Sequence, residues 1–393
     1  MVPLYAVYAL LFGDHGVSTG QISTLFIIWS LTSFAFEIPS GAWADTIDRR
    51  HLLVLSALIY AAGFSCWLLL PSYAGFALGF VLWGLSSAIM SGTFESLLYD
   101  ELTERGLESE YTRLIGWAHS TAMLANLAAT VLAAPLFALG GYALVGWISV
   151  GFAGVQAALA ASLPVSKPAR HPNSAHGTAD VVWATERFAT RYMTMLRAGI
   201  REASTSVSVR RVVLIAAGLV GLTAYDEYFP LVARDHGVAT GTVPLLIGLV
   251  VAGQAVGTGL AGRTARMRPA VMASAVGFGG ALISLGALVS PSVGFLTVAI
   301  GYGLLNNAMI VAEARLQTAI RGPARATVTS VYGFATEIFA LAVMAPFVLA
   351  ADVLSVPVLV ALMGLVTVGI GGCVARWFPA ASSLTPDVVE QAD

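Results

Sequence analysis

Three carboxylic acids stand inside long apolar runs, where an ionisable side chain is costly and marks a function by default. Glu337 lies eleven residues into the run Ala326–Ala350. At the helical rise that is roughly 16 Å, near the midplane of a hydrocarbon layer about 30 Å thick. A carboxyl there can load and release a proton, which is the chemistry of a coupling site. It can equally hydrogen-bond a neighbouring helix and only fix packing. Asp226 and Glu227 are adjacent in Tyr225-Asp226-Glu227-Tyr228-Phe229-Pro230. They lie about 21 Å from the start of the run Val212–Val232. Neighbouring residues on a helix point about 100° apart, so at most one of the pair faces a central cavity. Pro230 removes the backbone bond to residue 226. This pair is a second candidate for a proton or substrate group, or else an outer gate or a wetted helix end.

Glu37, Glu95 and Glu313 each sit within a turn or two of the end of a run, where Arg49, Arg113 and Arg315 are available to pair with them. His119, near the start of its run, reads as a packing residue. The polar and aromatic side chains at mid-depth sketch a cavity lining. They are Trp83, Ser87, Asn126, Tyr225, Gln254, Tyr302, Asn306 and Asn307, with Tyr5 and Tyr8 near the start of the chain. Aromatic faces with a few amides suit an amphipathic organic molecule or cation, although any one ring serves equally well in helix packing. No Lys or Arg lies at mid-depth, which speaks against a multiply anionic solute. The six histidines are scattered and the two cysteines lie far apart. No metal spacing, nucleophile elbow, HExxH or phosphate-binding loop is present, so neither enzyme chemistry nor a cofactor is expected.

These residues need a scaffold, and composition says which. Of 393 residues, 57% are apolar and 11% charged, with a mean hydropathy of +0.81. Soluble domains carry about 25% charged residues, so the solvent for this chain is a lipid bilayer. The net charge of −2 provides no field for nucleic acid. Eleven runs are long enough to span: Gln21–Trp43, His51–Leu70, Gly75–Leu98, Leu114–Leu139, Tyr142–Leu163, Val212–Val232, Thr242–Gly262, Ala270–Val289, Gly294–Ala312, Ala326–Ala350 and Leu354–Phe378. A twelfth, Val2–Phe12, covers only about 17 Å. It lacks the basic start and cleavage site of a signal peptide. It reads either as the remainder of a truncated first helix or as a short, partly inserted one. With the Arg49/Arg50 turn placed in the cytoplasm, 19 of the 20 Lys and Arg residues fall on that side and only Arg234 does not. This bias sets the orientation: a cytoplasmic (inner) membrane protein with both termini inside, expected to be a monomer.

The chain repeats itself. Asp14-His15-Gly16-Val17-Ser18-Thr19-Gly20 matches Asp235-His236-Gly237-Val238-Ala239-Thr240-Gly241 at six of seven positions, at an offset of 221. The same offset lays Gly41 on Gly262, and an offset of 211 lays Ala134-Pro135 on Ala345-Pro346 and Asn126 on Glu337. Two six-helix halves in the same orientation form a parallel repeat. The expected organisation is a bundle over 1–163, a cytoplasmic loop over 164–211, a second bundle over 212–380 and a tail over 381–393. An interfacial helix is possible within the loop, over Asp180–Glu202.

Between the second and third spans the chain reads GAWADTIDRR, Gly41 to Arg50. This resembles the signature loop of the major facilitator superfamily, G-x-x-x-D-[RK]-x-G-[RK]-[RK]. Gly41, Asp45, Arg49 and Arg50 match, whereas Thr46 and Asp48 depart. The stretch from Ser91 to Leu102 also looks like a subgroup of bacterial facilitator proteins. The resemblance implies an all-α membrane protein of the major facilitator fold, without a cofactor, that moves a small molecule by alternating access. It further implies that Gly41 lets two helices approach. Asp45 would close against the start of the helix near Ala326, while Arg49 and Arg50 act as gate or as anchors. The arginine-bearing motif of many drug/proton antiporters is not evident. The expected activity is proton-coupled export of neutral or cationic amphipathic compounds. A nutrient or metabolite uptake carrier, a non-transporting sensor, a channel and a membrane enzyme are the alternatives.

Overall fold

The computed structural model describes residues 2–163, 207–319 and 325–378. The possible helix over Asp180–Glu202 and the tail over 381–393 lie outside them. The described residues are helical, with no strand among them. Among the described residues, ten stretches are long and apolar enough to cross a membrane. One of them, Glu108–Ala161, holds 54 residues and is broken in its middle, which accounts for the eleven expected runs.

The helices are α1 (Tyr8–Asp14), α2 (Thr19–Thr46), α3 (Arg49–Leu69), α4 (Tyr73–Met90), α5 (Thr93–Glu104), α6 (Tyr111–Ala161), α7 (Val207–Leu222), α8 (Phe229–Asp235), α9 (Val243–Thr264), α10 (Pro269–Leu288), α11 (Pro291–Ala319), α12 (Arg325–Ala350) and α13 (Val356–Trp377). Helix α6 is two helices joined at Gly140-Gly141, where Gly141 takes φ +59°, a conformation that a side chain disfavours. Contacts divide the chain into two compact units, Met1–Tyr192 with Thr240–Leu245, and Met193–Ala239 with Leu246–Asp393.

Three expected boundaries are corrected. The run Gly75–Leu98 is two helices, because Gly92 takes φ +70° after Met90 and restarts the chain as α5. The run Val212–Val232 is interrupted by a 3-10 turn over Thr223–Tyr228, and Pro230 sits at the first turn of α8. The signature loop is mostly helix: α2 runs to Thr46, leaving only Ile47 and Asp48 as the turn. Asp48, which departs from the family pattern, caps α3 by accepting the Arg50 N–H at 2.9 Å.

In lipid, apolar side chains gain nothing by leaving solvent, so helices associate by close packing and interhelical hydrogen bonds. In the first unit α4 packs on α2 and α3, and α3 packs on α6. Gly84 lets α4 meet the backbone of α2, where Ser33 Oγ donates to Gly84 O at 3.2 Å. Ser56 of α3 and Ser86 of α4 bond each other at 3.1 Å. In the second unit α10 packs on α13 and α11, and α7 packs on α12. Helices α9 and α11 cross through Gly253, Gly257 and Gly303, each against the other helix's carbonyls. The two units repeat a local design. Pro3–Ala6 is a 3-10 turn followed by the seven-residue α1, and Thr223–Tyr228 is a 3-10 turn followed by the seven-residue α8. Gly16 and Gly237, which end these helices, have φ +83° and +78°. Asp14 accepts the Tyr142 O–H at 2.6 Å and Asp235 accepts the Val356 N–H at 3.3 Å. Each aspartate thus ties its short helix to the start of the last helix of its own unit.

A Cβ at Gly257 would overlap the Gly303 carbonyl, whereas one at Gly259 meets nothing within 4 Å. Gly257→Val should therefore destabilise the detergent-solubilised protein by about 1–3 kcal/mol, the usual cost of overpacking. Gly259→Val should leave the melting temperature unchanged. Equal melting curves for the two variants would contradict the crossing.

Candidate substrate and proton site

The 3-10 turn after α7 is what positions Asp226. Where the helical ladder breaks, a carboxylate can project into the bundle and take a side-chain donor in place of backbone partners. The Tyr302 hydroxyl donates to Asp226 Oδ2 at 2.6 Å, a short hydrogen bond. Tyr302 is 2% exposed and stands edge-on to Phe229 at 5.7 Å and to Tyr225 at 6.5 Å. From Tyr302 a polar ladder follows α11. Asn306 Nδ2 donates to Tyr302 O at 2.9 Å, and Gln254 Nε2 of α9 donates to Asn306 Oδ1 at 3.2 Å. On the next residue, Asn307 Nδ2 donates to Gly257 O at 2.9 Å and Asn307 Oδ1 accepts from Thr264 at 3.0 Å. Four expected residues of the second unit, Asp226, Tyr302, Asn306 and Gln254, are thereby joined. Tyr225 is buried beside them. Glu227 is half-buried and also engaged in an interaction.

Glu337 lies half-buried on α12, and it too is engaged. Helix α12 is held against α7, where a Cβ at Gly221 would strike the Thr336 carbonyl and Phe339. The stacked rings of Tyr228 and Phe347, 3.5 Å apart and 10° from parallel, fix the α12 face beyond the turn.

In the first unit the expected aromatics form one cluster. Tyr8 is buried, stacked on Trp67 at 5.5 Å and edge-on to Trp83 at 6.1 Å. Tyr5 is edge-on to Trp83 at 5.9 Å. Trp29, which the sequence did not single out, lies 5.4 Å from Trp83, and its buried Nε1 has no partner among the described residues. Its only sequence signal is a tryptophan at mid-run. Ser87 and Asn126 are half-buried and make no side-chain hydrogen bond among the described residues.

The charge pairs near the helix ends are not those expected. Arg49 bonds the Asp100 carboxylate and the Ser96 carbonyl at 3.4 Å, because the α4–α5 break brings α5 alongside α3. Arg113 pairs with Glu110 at 2.8 Å, its neighbour one turn earlier. Arg315 is 4% exposed and donates to the Ala265 carbonyl at 3.1 Å and to the Met267 carbonyl, the orphan acceptors beyond α9. Glu313 instead accepts the Tyr332 O–H at 2.6 Å. Glu37 and Glu95 have no ion pair among the described residues. Gly41 is exposed, and a Cβ there would meet nothing within 4 Å. Within its own unit, then, it makes no close helix approach. The Asp45 side chain lies outside the described residues, and the Arg50 guanidinium has no partner among them. His119 is exposed, not packed. No metal-binding group of His, Cys, Asp and Glu exists among the described residues.

Removing the donor at Tyr302 leaves a buried acceptor short of a bond, a loss of about 1–3 kcal/mol. Tyr302→Phe should therefore lower stability by that amount and move the infrared carboxylate band of Asp226. A control change at Tyr60, in the other unit, should leave the band in place. A band insensitive to Tyr302→Phe would refute the contact.

Comparison with known proteins agrees with this architecture. A family model described as Major Facilitator Superfamily matches residues 2–341. No curated protein matches the chain. Among solved structures, a bacterial homologue of the iron transporter ferroportin, inward-facing, superposes with a TM-score of 0.68 at 14% identity, covering 95% of each chain. The nucleoside transporter NupG, in a point-mutant form, gives a TM-score of 0.63 at 12% identity over 95% of this chain and 93% of its own. A bacterial homologue of the lysosomal transporter Spinster gives 0.63 at 15% identity over 95% and 87%. At these identities the likeness concerns the fold.

Proposed function

The chain belongs to the major facilitator superfamily, and from that premise we propose that it is a proton-coupled secondary transporter exporting neutral or cationic amphipathic compounds across the cytoplasmic membrane. It is a multi-pass membrane protein with the fold of transporters. The arginine distribution supports cytoplasmic termini. The observation that carries the reading is the Asp226–Tyr302 contact at a break in the helix. When ionised, the carboxylate is stabilised by the tyrosine donor and attracts a cation. When protonated, it no longer does. A proton and a cationic solute thus compete for one group, which couples their opposite movements when only the occupied carboxylate changes sides. In the first unit the half-buried rings of Tyr5 and Trp83, beside a Trp29 N–H that has no partner among the described residues, suit an apolar or cationic body. Glu337, Glu227 and Gln254 are proposed as further solute or proton contacts in the second unit and Ser87 and Asn126 in the first, with Gly41, Asp45, Arg49 and Arg50 as gating residues.

In proteoliposomes, an imposed pH gradient should drive uptake or release of a lipophilic cation by the wild type. Asp226→Asn should abolish the gradient-driven component, by at least about tenfold, or ~1.4 kcal/mol in the barrier, and weaken binding of the cation while leaving binding of a neutral amphipathic probe in place. Glu337→Gln is the comparison. Coupling lost only in Glu337→Gln would move the assignment to α12, and no flux of any compound by the wild type would remove the exporter reading.

A further inference from the structure

The second unit carries a groove of about 490 Å³ between α9 and α11. The helix crossing itself clears its floor. Gly253 and Gly257 lie against the carbonyls of Ala299 and Gly303, where a Cβ would overlap backbone. The walls are apolar and bare, with Val256, Leu260 and Ile300 62%, 43% and 51% exposed. The two polar side chains on the lining are already engaged: Asn307 accepts from Thr264 at 3.0 Å and donates to the Gly257 carbonyl at 2.9 Å. A polar solute would give up its hydrogen bonds to water on entering, which is costly.

The groove follows α11 from Leu296 to Asn307, about 16 Å at the helical rise. Spread over that length, its volume gives a section of roughly 30 Å². A helix with its side chains is about 10–12 Å across, so a helix of a second copy is too wide for it. An extended hydrocarbon chain is not.

At the end of α9 the groove meets positive charge. Arg263 stands seven residues beyond Val256 and three beyond Leu260, on the same helix face. It is exposed and makes no hydrogen bond or ion pair among the described residues. Arg266 and Arg268 follow, both exposed, and no acidic residue occurs from Val243 to Arg268. The first unit has neither feature at the matching positions. At the offset of 221, Gly253 and Gly257 fall on Thr32 and Phe36, and Arg263 falls on Ala42. The cleared floor and the basic end thus occur together, in one half of the repeat.

We propose that this groove holds one acyl chain of an anionic phospholipid, with the phosphate headgroup at Arg263. The chain lies along the glycine floor, and the headgroup stays in the leaflet where the arginines stand. A zwitterionic phospholipid offers the same chain without the net charge. The site needs only that the helices lie in a membrane, and it is independent of Asp226 and of any transported solute.

The test is native mass spectrometry of the purified protein in a neutral detergent, titrated with phosphatidylglycerol or with phosphatidylcholine of the same acyl chains. The first phosphatidylglycerol should bind about fivefold more tightly than phosphatidylcholine, the effect of one arginine beside an anionic headgroup. Arg263→Gln should remove that preference. Arg376→Gln, which deletes an exposed arginine at the end of α13, should leave it in place. Ala252→Phe, which fills the groove, should weaken both lipids. Melting temperatures equal to that of the wild type establish that the variants are folded. Should Ala252→Phe lower the melting temperature, the two arginine variants decide. Three outcomes overturn the proposal. The two lipids may bind wild type equally, so that the groove takes any chain. Arg263→Gln and Arg376→Gln may lower phosphatidylglycerol binding alike, so that the arginines act only as general anchors. A folded Ala252→Phe protein may bind as the wild type does, so that the lipid lies elsewhere.

Discussion

A helix in lipid gains little by burying one more leucine against its neighbour, because the acyl chains are just as apolar. What holds these bundles is the close approach of backbones, and that requires the absence of side chains at chosen points. Gly84 against Trp29 and Thr32, Gly280 against Gly364, and Gly253 and Gly257 against Gly303 are such points. Polar groups cluster at the same crossings. Ser33, Ser284 and Asn307 each donate to a carbonyl of the facing helix, at 3.2, 2.7 and 2.9 Å. Such bonds supply interhelical attraction where the hydrophobic effect supplies none.

Against that rigid background the breaks stand out. An α-helix satisfies its own backbone and offers little to a ligand. The 3-10 turns at Pro3–Ala6 and Thr223–Tyr228 interrupt this self-sufficiency. In register, at the offset of 221, Tyr5 of the first unit corresponds to Asp226 of the second. One half of the repeat therefore presents an aromatic ring and the other a carboxylate from the same position of the same local structure.

The ends of the helices follow ordinary electrostatics. Arg315 neutralises carbonyls left unpaired beyond α9, Asp48 caps α3, and Arg49 is drawn to Asp100. These contacts join the turn between two helices to the end of a third within each unit. Each unit thus keeps its shape at the ends as well as along the crossings.

Run length and charge bias were enough to read eleven spans and an orientation, because a bilayer tests local composition directly. The parallel repeat rested on the match of Asp14–Gly20 with Asp235–Gly241, and the family on the resemblance of the Gly41–Arg50 loop to the signature loop. The short Asp-His-Gly repeat was legible because a left-handed residue at a helix end calls for glycine. Other features depended on tertiary structure. The partner of Asp226 is 76 residues away, and Gln254 meets Asn306 across a glycine crossing that no spacing announces. Arg49, Arg113 and Arg315 meet partners other than the glutamates available to them in sequence, because a two-residue break at Ser91-Gly92 swings α5 beside α3 and because backbone carbonyls compete with carboxylates for guanidinium donors. Local sequence determines which groups are costly to bury. Only the packed helices decide which neighbour relieves that cost, because the choice depends on helix rotation and crossing, and these are set by contacts distant in the chain.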